Sequence, residues 1–228
     1  MSYRYEKLMC AYLRGYFKEH QEIQVDENLL NKEVDLLTNE EVYILDELGK
    51  KHQLKNYYFK DKDVLARVSI VLGFLRNIYP KTLLDVGSGR GVFLFPLLKE
   101  FPYLKVTSVD IISKRVEIMK YINSGGIDNL IAINGNICNL ELEDNSYDVV
   151  TMLEVLEHIP NVSDSVNNAV RIAKNFIVVT VPSKEDDNPE HIHFLTKEKL
   201  TKLFNEAGIT NLKFGGVNGH LLLIARKK

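Results

Sequence analysis

The stretch "LLDVGSGRGVF", Leu83 to Phe93, places glycines at 87, 89 and 91 directly behind an apolar run that ends in Asp85. Glycine has no Cβ, so such a loop lets a ligand approach the backbone closely, and a carboxylate at its edge can hold a polar group of that ligand. A second carboxylate, Asp110, closes the run "KVTSVD". It stands roughly 20 residues beyond the glycines, where a carboxylate accepts hydrogen bonds from both hydroxyls of a ribose. After the next apolar run, "NGNIC" offers Asn136 to an adenine edge, with Ile111 and Ile137 as apolar walls for the ring. Further on, "LEVLEHIP" carries Glu154, Glu157 and His158. An unperturbed imidazole titrates near pH 6.5, so His158 is suited to take a proton from a hydroxyl or amine, with Glu154 and Glu157 to orient it or the substrate.

Two phosphate-binding patterns are excluded. A dinucleotide fingerprint needs its third glycine at position 92, which is Val92, and no Gly-Lys-Ser/Thr follows the glycines, since Arg90 stands at a different spacing. What remains is an adenosine without a pyrophosphate, carrying an amino group that Asp85 or a nearby carbonyl can hold, and S-adenosylmethionine has that chemistry. Taken singly, the glycines can form a bare turn, Asp110 can cap the helix that starts near Ser113, and Asn136 beside Gly135 can be a turn residue. Their order and spacing after successive strands favour the ligand.

The elements that must hold these residues alternate. Strand "TLLDV", a helix from about Gly91, strand "KVTSVD", helix "SKRVEIMKYIN" and strands "LIAIN" and "YDVVTML" are followed by helix "DSVNNAVRIAK" and strand "FIVVTV". Near-continuous Val, Ile and Leu runs separated by helices belong in a parallel sheet covered on both faces. A helix "TKEKLTKLFNEAG", capped by Thr196 and ended by Gly208, precedes "ITNLKFGGV" and "HLLLIARK", which read as two strands about an Asn218-Gly219 turn. The expected fold is α/β, a doubly wound, mostly parallel sheet finished by an antiparallel pair. In such a sheet ligands lie beyond the carboxyl ends of the strands, where the winding reverses.

Residues 1–79 form a different regime of apolar residues at three and four spacing, with helices expected over "NEEVYILDELGKK", ended by Gly49, and "KDVLARVSIVLGFLRNIY". The boundary falls near Pro80. This leader is expected to pack on the 80–228 domain and to act as a lid, with Tyr57, Tyr58 and Phe59 lining a pocket and Arg67 meeting a substrate carboxylate. Core packing or a dimer contact would use the same aromatics.

The net charge of -2 gives no basic face, which weighs against nucleic acid as a partner. No run approaches the roughly 20 apolar residues of a membrane span, and the charged start lacks a signal core. Two cysteines, Cys10 and Cys138, suggest neither a disulfide framework nor a metal knuckle. A cytoplasmic protein, monomer or homodimer, is expected.

Together "DVGSGRG", "VTSVDI", "NGNICNLELEDNSYDVVTMLEVLEHIP" and "HIHFLTKEKLTKLFNEAGI" resemble the class I methyltransferases that use S-adenosylmethionine, over residues 80–228. The resemblance implies a Rossmann-like sheet of seven strands with the last reversed. It implies Gly87 and Gly89 against the methionine part of the cofactor, Asp110 on its ribose, and Asn136 and Ile137 on its adenine, with Asp85, Ser88 and Leu153 among the cofactor contacts. Asn136 departs from the Asp usual in these families. The implied reaction is methyl transfer to oxygen or nitrogen of a small-molecule acceptor. No metal is assigned, although Glu154, Glu157 and His158 at i, i+3 and i+4, with one of His191 and His193, resemble the metal site of RNA 2'-O-methyltransferases and of some quinone-precursor O-methyltransferases. The acidic "KEDDNPE" from Lys184 to Glu190 weighs against the RNA version. A cofactor-binding regulatory protein without catalysis is the remaining alternative.

Overall fold

The computed structural model describes residues 4–60, 63–185 and 187–227. The leader forms α1 (Glu6–Glu19), α2 (Glu27–Asn31), α3 (Asn39–Lys51) and α4 (Ala66–Ile78). Thr38 and Glu41 make a reciprocal capping box that starts α3. Gly49 does not end this helix but lies inside it, and its lack of a side chain answers to packing, since a Cβ there would sit 2.7 Å from a Leu13 methyl and 2.6 Å from the Asn56 amide. The helix expected from Lys62 begins at Ala66, Lys62 itself lying outside the described residues.

Beyond Pro80 the chain alternates through β1 (Thr82–Val86), α5 (Leu94–Glu100), β2 (Lys105–Asp110), α6 (Ser113–Ser124), β3 (Leu130–Asn134), β4 (Tyr147–Leu153), α7 (Val162–Ile172), β5 (Ala173–Pro182), α8 (Lys197–Glu206), β6 (Asn211–Val217) and β7 (His220–Arg226). The seven strands are ordered β3-β2-β1-β4-β5-β7-β6. All are parallel except β7, which runs against both β5 and β6. Winding starts at β1, proceeds to β3 on one side and resumes with β4 on the other, so the switch point lies between the carboxyl ends of β1 and β4.

Alternation along the strands sorts the core into two layers. Leu83, Val106, Leu130, Val149 and Val178 join one buried cluster with Met9, Leu13 and Phe17 of α1, Val71 and Leu75 of α4, and residues of α5 and α6. Leu84, Val109, Val150, Ile177 and Val179 join the other, with Val166 and Ala169 of α7 and Leu200 and Phe204 of α8. The leader is thus part of the core. Its α1 crosses α6 so closely that a Cβ on Gly15 would lie 2.0 Å from the Tyr121 carbonyl oxygen, and one on Gly125 1.7 Å from that of Ala11. Among the described residues no helix is long and apolar enough to cross a membrane.

Candidate functional site

Backbone hydrogen bonds carry the ladder past the carboxyl ends of the strands and fix the loops there. Gly87 donates to Val109 O, Gly135 to Asp110 O and Glu154 to Thr180 O. Three sequence-distant loops therefore meet at the switch point.

The glycine loop owes its composition to two causes. Gly87, Gly89 and Gly91 all have positive φ, at 69°, 58° and 83°. A Cβ on Gly87 would strike Val155 at 2.6 Å, and one on Gly91 would strike the Phe95 ring at 2.5 Å. These two glycines are required by the protein's own packing. At Gly89 the nearest heavy atom to a Cβ is Gly87 O at 3.7 Å, so this position alone keeps open space over the backbone. The Val155 contact brings the "LEVLEH" segment onto the first glycine.

Asp85 faces inward. It is buried, its Oδ1 accepts from Thr151 Oγ1 at 2.7 Å and its Oδ2 from Ser88 Oγ at 2.6 Å, while Ser108 Oγ lies 2.8 Å from Ser88 Oγ. Burial pushes its carboxyl up to about 6, against the opposing hydrogen bonds from Ser88 and Thr151. Asp85 and Ser88 thus tie β1 to β4 and brace the loop, with both carboxylate oxygens already engaged.

Asp110 ends β2 with its carboxylate at the site. Oδ2 accepts from Gly89 N at 2.9 Å and lies 3.5 Å from Arg115 Nη1, and Oδ1 accepts from Ile112 N at 2.9 Å. The carboxylate joins the glycine loop to the start of α6 and keeps lone pairs for further donors. Asn136 caps the short turn Ile137–Asn139, its Oδ1 accepting from Cys138 N at 3.0 Å. Ile111 is exposed whereas Ile137 is buried in the core, so the two expected ring walls differ in character.

Glu154, Glu157 and His158 do not share a helical face. Glu154 stands in the left-handed region at φ 58°, and only Leu156–His158 forms a 3₁₀ turn. The backbone reversal sends Glu154 toward His220 at the start of β7, with Oε2 2.8 Å from Nδ1 and Oε1 4.0 Å from Nε of Arg67 on α4. Arg67 Nη1 also donates toward His220 Nε2 at 3.3 Å. Arg67 therefore meets a carboxylate of the protein itself. His220 is the site residue that sequence reasoning missed. The signal was available, because in a reversed strand the first residue, not the last, lies at the sheet's carboxyl edge, and His220 pairs with Pro182 at the end of β5.

Buried Glu157 converges with His158 and His191, and their ligating atoms lie within 4.8 Å of one another. His158 Nδ1 lies 2.8 Å from Glu190 O. A carbonyl only accepts, so this nitrogen carries the hydrogen, which in the neutral ring leaves the lone pair on Nε2. His193 turns instead to Pro160 O, with Nε2 at 3.3 Å.

The leader reaches the same place. Phe59 stacks on Phe95 with centroids 4.9 Å apart, which sets Lys55 and Tyr58 beside Gly89 and Arg90. The 650 Å³ cavity over Thr82, Lys105, Thr107 and Tyr147 lies at the opposite, amino ends of the strands, away from the switch point.

Residues 80–208 match the family described as "Methyltransferase domain". The chain belongs to this family. S-adenosylmethionine is its cofactor, and the residues present suit it. Gly89 leaves a cradle over bare backbone, Asp110 presents a carboxylate beside it where a ribose is expected, and the apolar Ile111 flanks the expected adenine position.

An uncharacterized protein of Methanocaldococcus jannaschii is 29% identical over 136 residues, 59% of this chain and 55% of that protein. The ubiquinone biosynthesis O-methyltransferase of Vibrio cholerae is 27% identical over 109 residues, 47% of this chain and 44% of its own length. The chain thus spans about half the length of the curated relatives it matches. Magnesium protoporphyrin IX methyltransferase from Synechocystis, solved with bound SAH, superposes with a TM-score of 0.59 at 16% identity, covering 82% of this chain and 99% of that one. This last likeness is one of fold.

Proposed function

We propose that the protein moves a methyl group from S-adenosylmethionine to an oxygen or nitrogen of a small-molecule acceptor, with His158 as the base. The observation that carries this reading is the Val155–Gly87 contact, which packs the segment bearing Glu154 and His158 against the glycine loop. The likeness to O-methyltransferases of ubiquinone biosynthesis supports a small-molecule acceptor.

Bound cofactor supplies a methyl group on a sulfonium, open to in-line attack. Gly87 and Gly89 would seat its methionine part and Asp110 its ribose, with Asn136, Ile137 and Leu153 beside the adenosyl group. The chain's own contribution is alignment, exclusion of water and proton removal. His158 Nε2 takes the proton that the acceptor loses as its oxygen or nitrogen attacks, and the Nδ1–H bond to Glu190 O holds the ring in the required tautomer. Glu154, fixed by His220 and Arg67, orients the acceptor. The leader, through Lys55, Tyr58 and Arg67, forms the lid over the glycine loop.

A second reading rests on the convergence of Glu157, His158 and His191, which have the residue types of a divalent metal site. In it Glu157, His158 and His191 would hold the ion, which would supply Lewis-acid polarisation of the acceptor.

Radiolabelled methyl transfer to a metabolite extract and to total RNA, each with and without chelator, separates the readings. Label in metabolites that survives chelation supports the first, and label abolished by chelator and restored by a divalent ion supports the second. Label confined to RNA rejects the small-molecule acceptor. Tight SAH binding without any transfer points to a cofactor-binding protein that has lost catalysis.

A further inference from the structure

Four cationic side chains from three separate elements surround a cavity of 220 Å³ beside the glycine loop. Lys55 comes from the leader's 3₁₀ turn Asn56–Phe59 and its cap, Arg90 from the loop itself, and Lys114 and Arg115 from the first turn of α6. Tyr58 and Gly89 also line it, and Phe95, Ile112, Ile118 and Met119 form its apolar floor. Among the described residues no carboxylate pairs with Lys55, Arg90 or Lys114, and Arg115 reaches only Asp110, at 3.5 Å. The chain as a whole carries net charge -2, so this concentration of positive charge is local.

The surroundings reinforce it. The Tyr58 hydroxyl is held below its ordinary range, first by the hydrogen bond from Tyr57 and then by Lys55 and Arg90. No side chain caps α6, so its first amides add partial positive charge. The volume is below the roughly 300–1,000 Å³ of pockets that enclose a whole drug-sized ligand, and suits one group of a larger molecule.

We propose that this cavity is an anion pocket that takes the phosphoryl group of a phosphate-monoester methyl acceptor. A lone carboxylate engages one or two of these cations, whereas a phosphate monoester brings close to two charges and three terminal oxygens that several donors share. S-adenosylmethionine carries one carboxylate and no phosphate, so four cations exceed what the cofactor needs. That the phosphoryl group belongs to the acceptor rests on the proposed function. The pocket's preference for phosphate does not.

The test titrates the whole chain with inorganic phosphate at constant ionic strength, with chloride as control, in the presence and absence of saturating SAH. Saturable phosphate binding that persists with SAH, and that weakens about tenfold or more in an Arg90→Gln, Lys114→Gln double variant of unchanged SAH affinity, is expected. Both side chains are exposed, so the variant keeps its fold. Absence of saturable binding, equal binding by the variant, or displacement of phosphate by SAH overturns the pocket. Displacement would assign the cations to the cofactor's carboxylate.

A second arm compares methyl transfer to a metabolite extract before and after phosphatase treatment. Transfer lost on treatment supports a phosphorylated acceptor, and unchanged transfer rejects it. No transfer to either extract rejects the proposed function, and the acceptor assignment with it, while the phosphate titration still judges the pocket.

Discussion

Glu154 Oε2 lies 2.8 Å from His220 Nδ1, joining the residue after β4 to the first residue of β7 through a backbone held at φ 58°. A non-glycine residue in that region stores strain of roughly 1–2 kcal/mol, and such strain gathers at functional sites. Glu154→Gly relieves the strain and removes the carboxylate. Its folding stability is expected within about 1 kcal/mol of the parent in urea melts, because relief and lost pairing offset. Methyl transfer should fall while SAH affinity holds, and undiminished transfer would remove Glu154 from the site.

His158 is expected to matter for turnover alone. His158→Gln keeps a side chain that can bond Glu190 O but has no basic nitrogen, so kcat should drop roughly 10²–10⁴-fold with SAH affinity within about twofold. Steady-state kinetics beside calorimetry checks both, and full turnover would retire His158 as base.

Asp110→Ala should weaken SAH binding by roughly 10- to 100-fold, the value of about 1.5–3 kcal/mol for hydrogen bonds to a charged group. Part of that loss comes through Gly89 and Ile112, whose amides the carboxylate holds at 2.9 Å each. Unchanged affinity in calorimetry would dismiss the ribose assignment.

Asp85 makes stability depend on pH. Its folded carboxyl is pushed up to about 6 from 3.8, so between these values the folded state binds more protons than the unfolded one, and stability falls as pH rises through the window. A shift of about two units corresponds to roughly 3 kcal/mol, fully lost above pH 6. Asp85→Asn removes the ionisation, so its stability relative to the parent should rise between pH 4 and 7. Denaturant midpoints across that range measure it, and a constant difference would contradict the buried, raised carboxyl.

Gly125→Ala should unfold or severely destabilise the protein, because its Cβ would sit 1.7 Å from the Ala11 carbonyl oxygen, a backbone atom that cannot turn aside. Gly208→Ala meets nothing within 4 Å and bears only its positive φ of 85°, a cost of about 1 kcal/mol. Thermal melts of the pair test whether α1 is docked on α6 as closely as the geometry requires.

The sequence alone determined the sheet, its winding and the reversed last strand, because Val, Ile and Leu runs and the amphipathic spacing between them are local signals of burial on both faces. It also placed Asp110 at the end of β2 and the glycines behind β1, since spacing after a strand is a one-dimensional quantity. Tertiary structure decided the rest. Only packing shows that Gly87 and Gly91 answer to Val155 and Phe95, leaving Gly89 as the open position. The left-handed turn at Glu154 broke the helical face that its spacing suggested and exchanged Glu157 and His158 for His220 and Arg67 as its neighbours. The convergence of Lys55, Arg90, Lys114 and Arg115 was illegible for the same reason. Contacts between residues far apart in the chain depend on how whole elements dock, and periodicity carries no record of that.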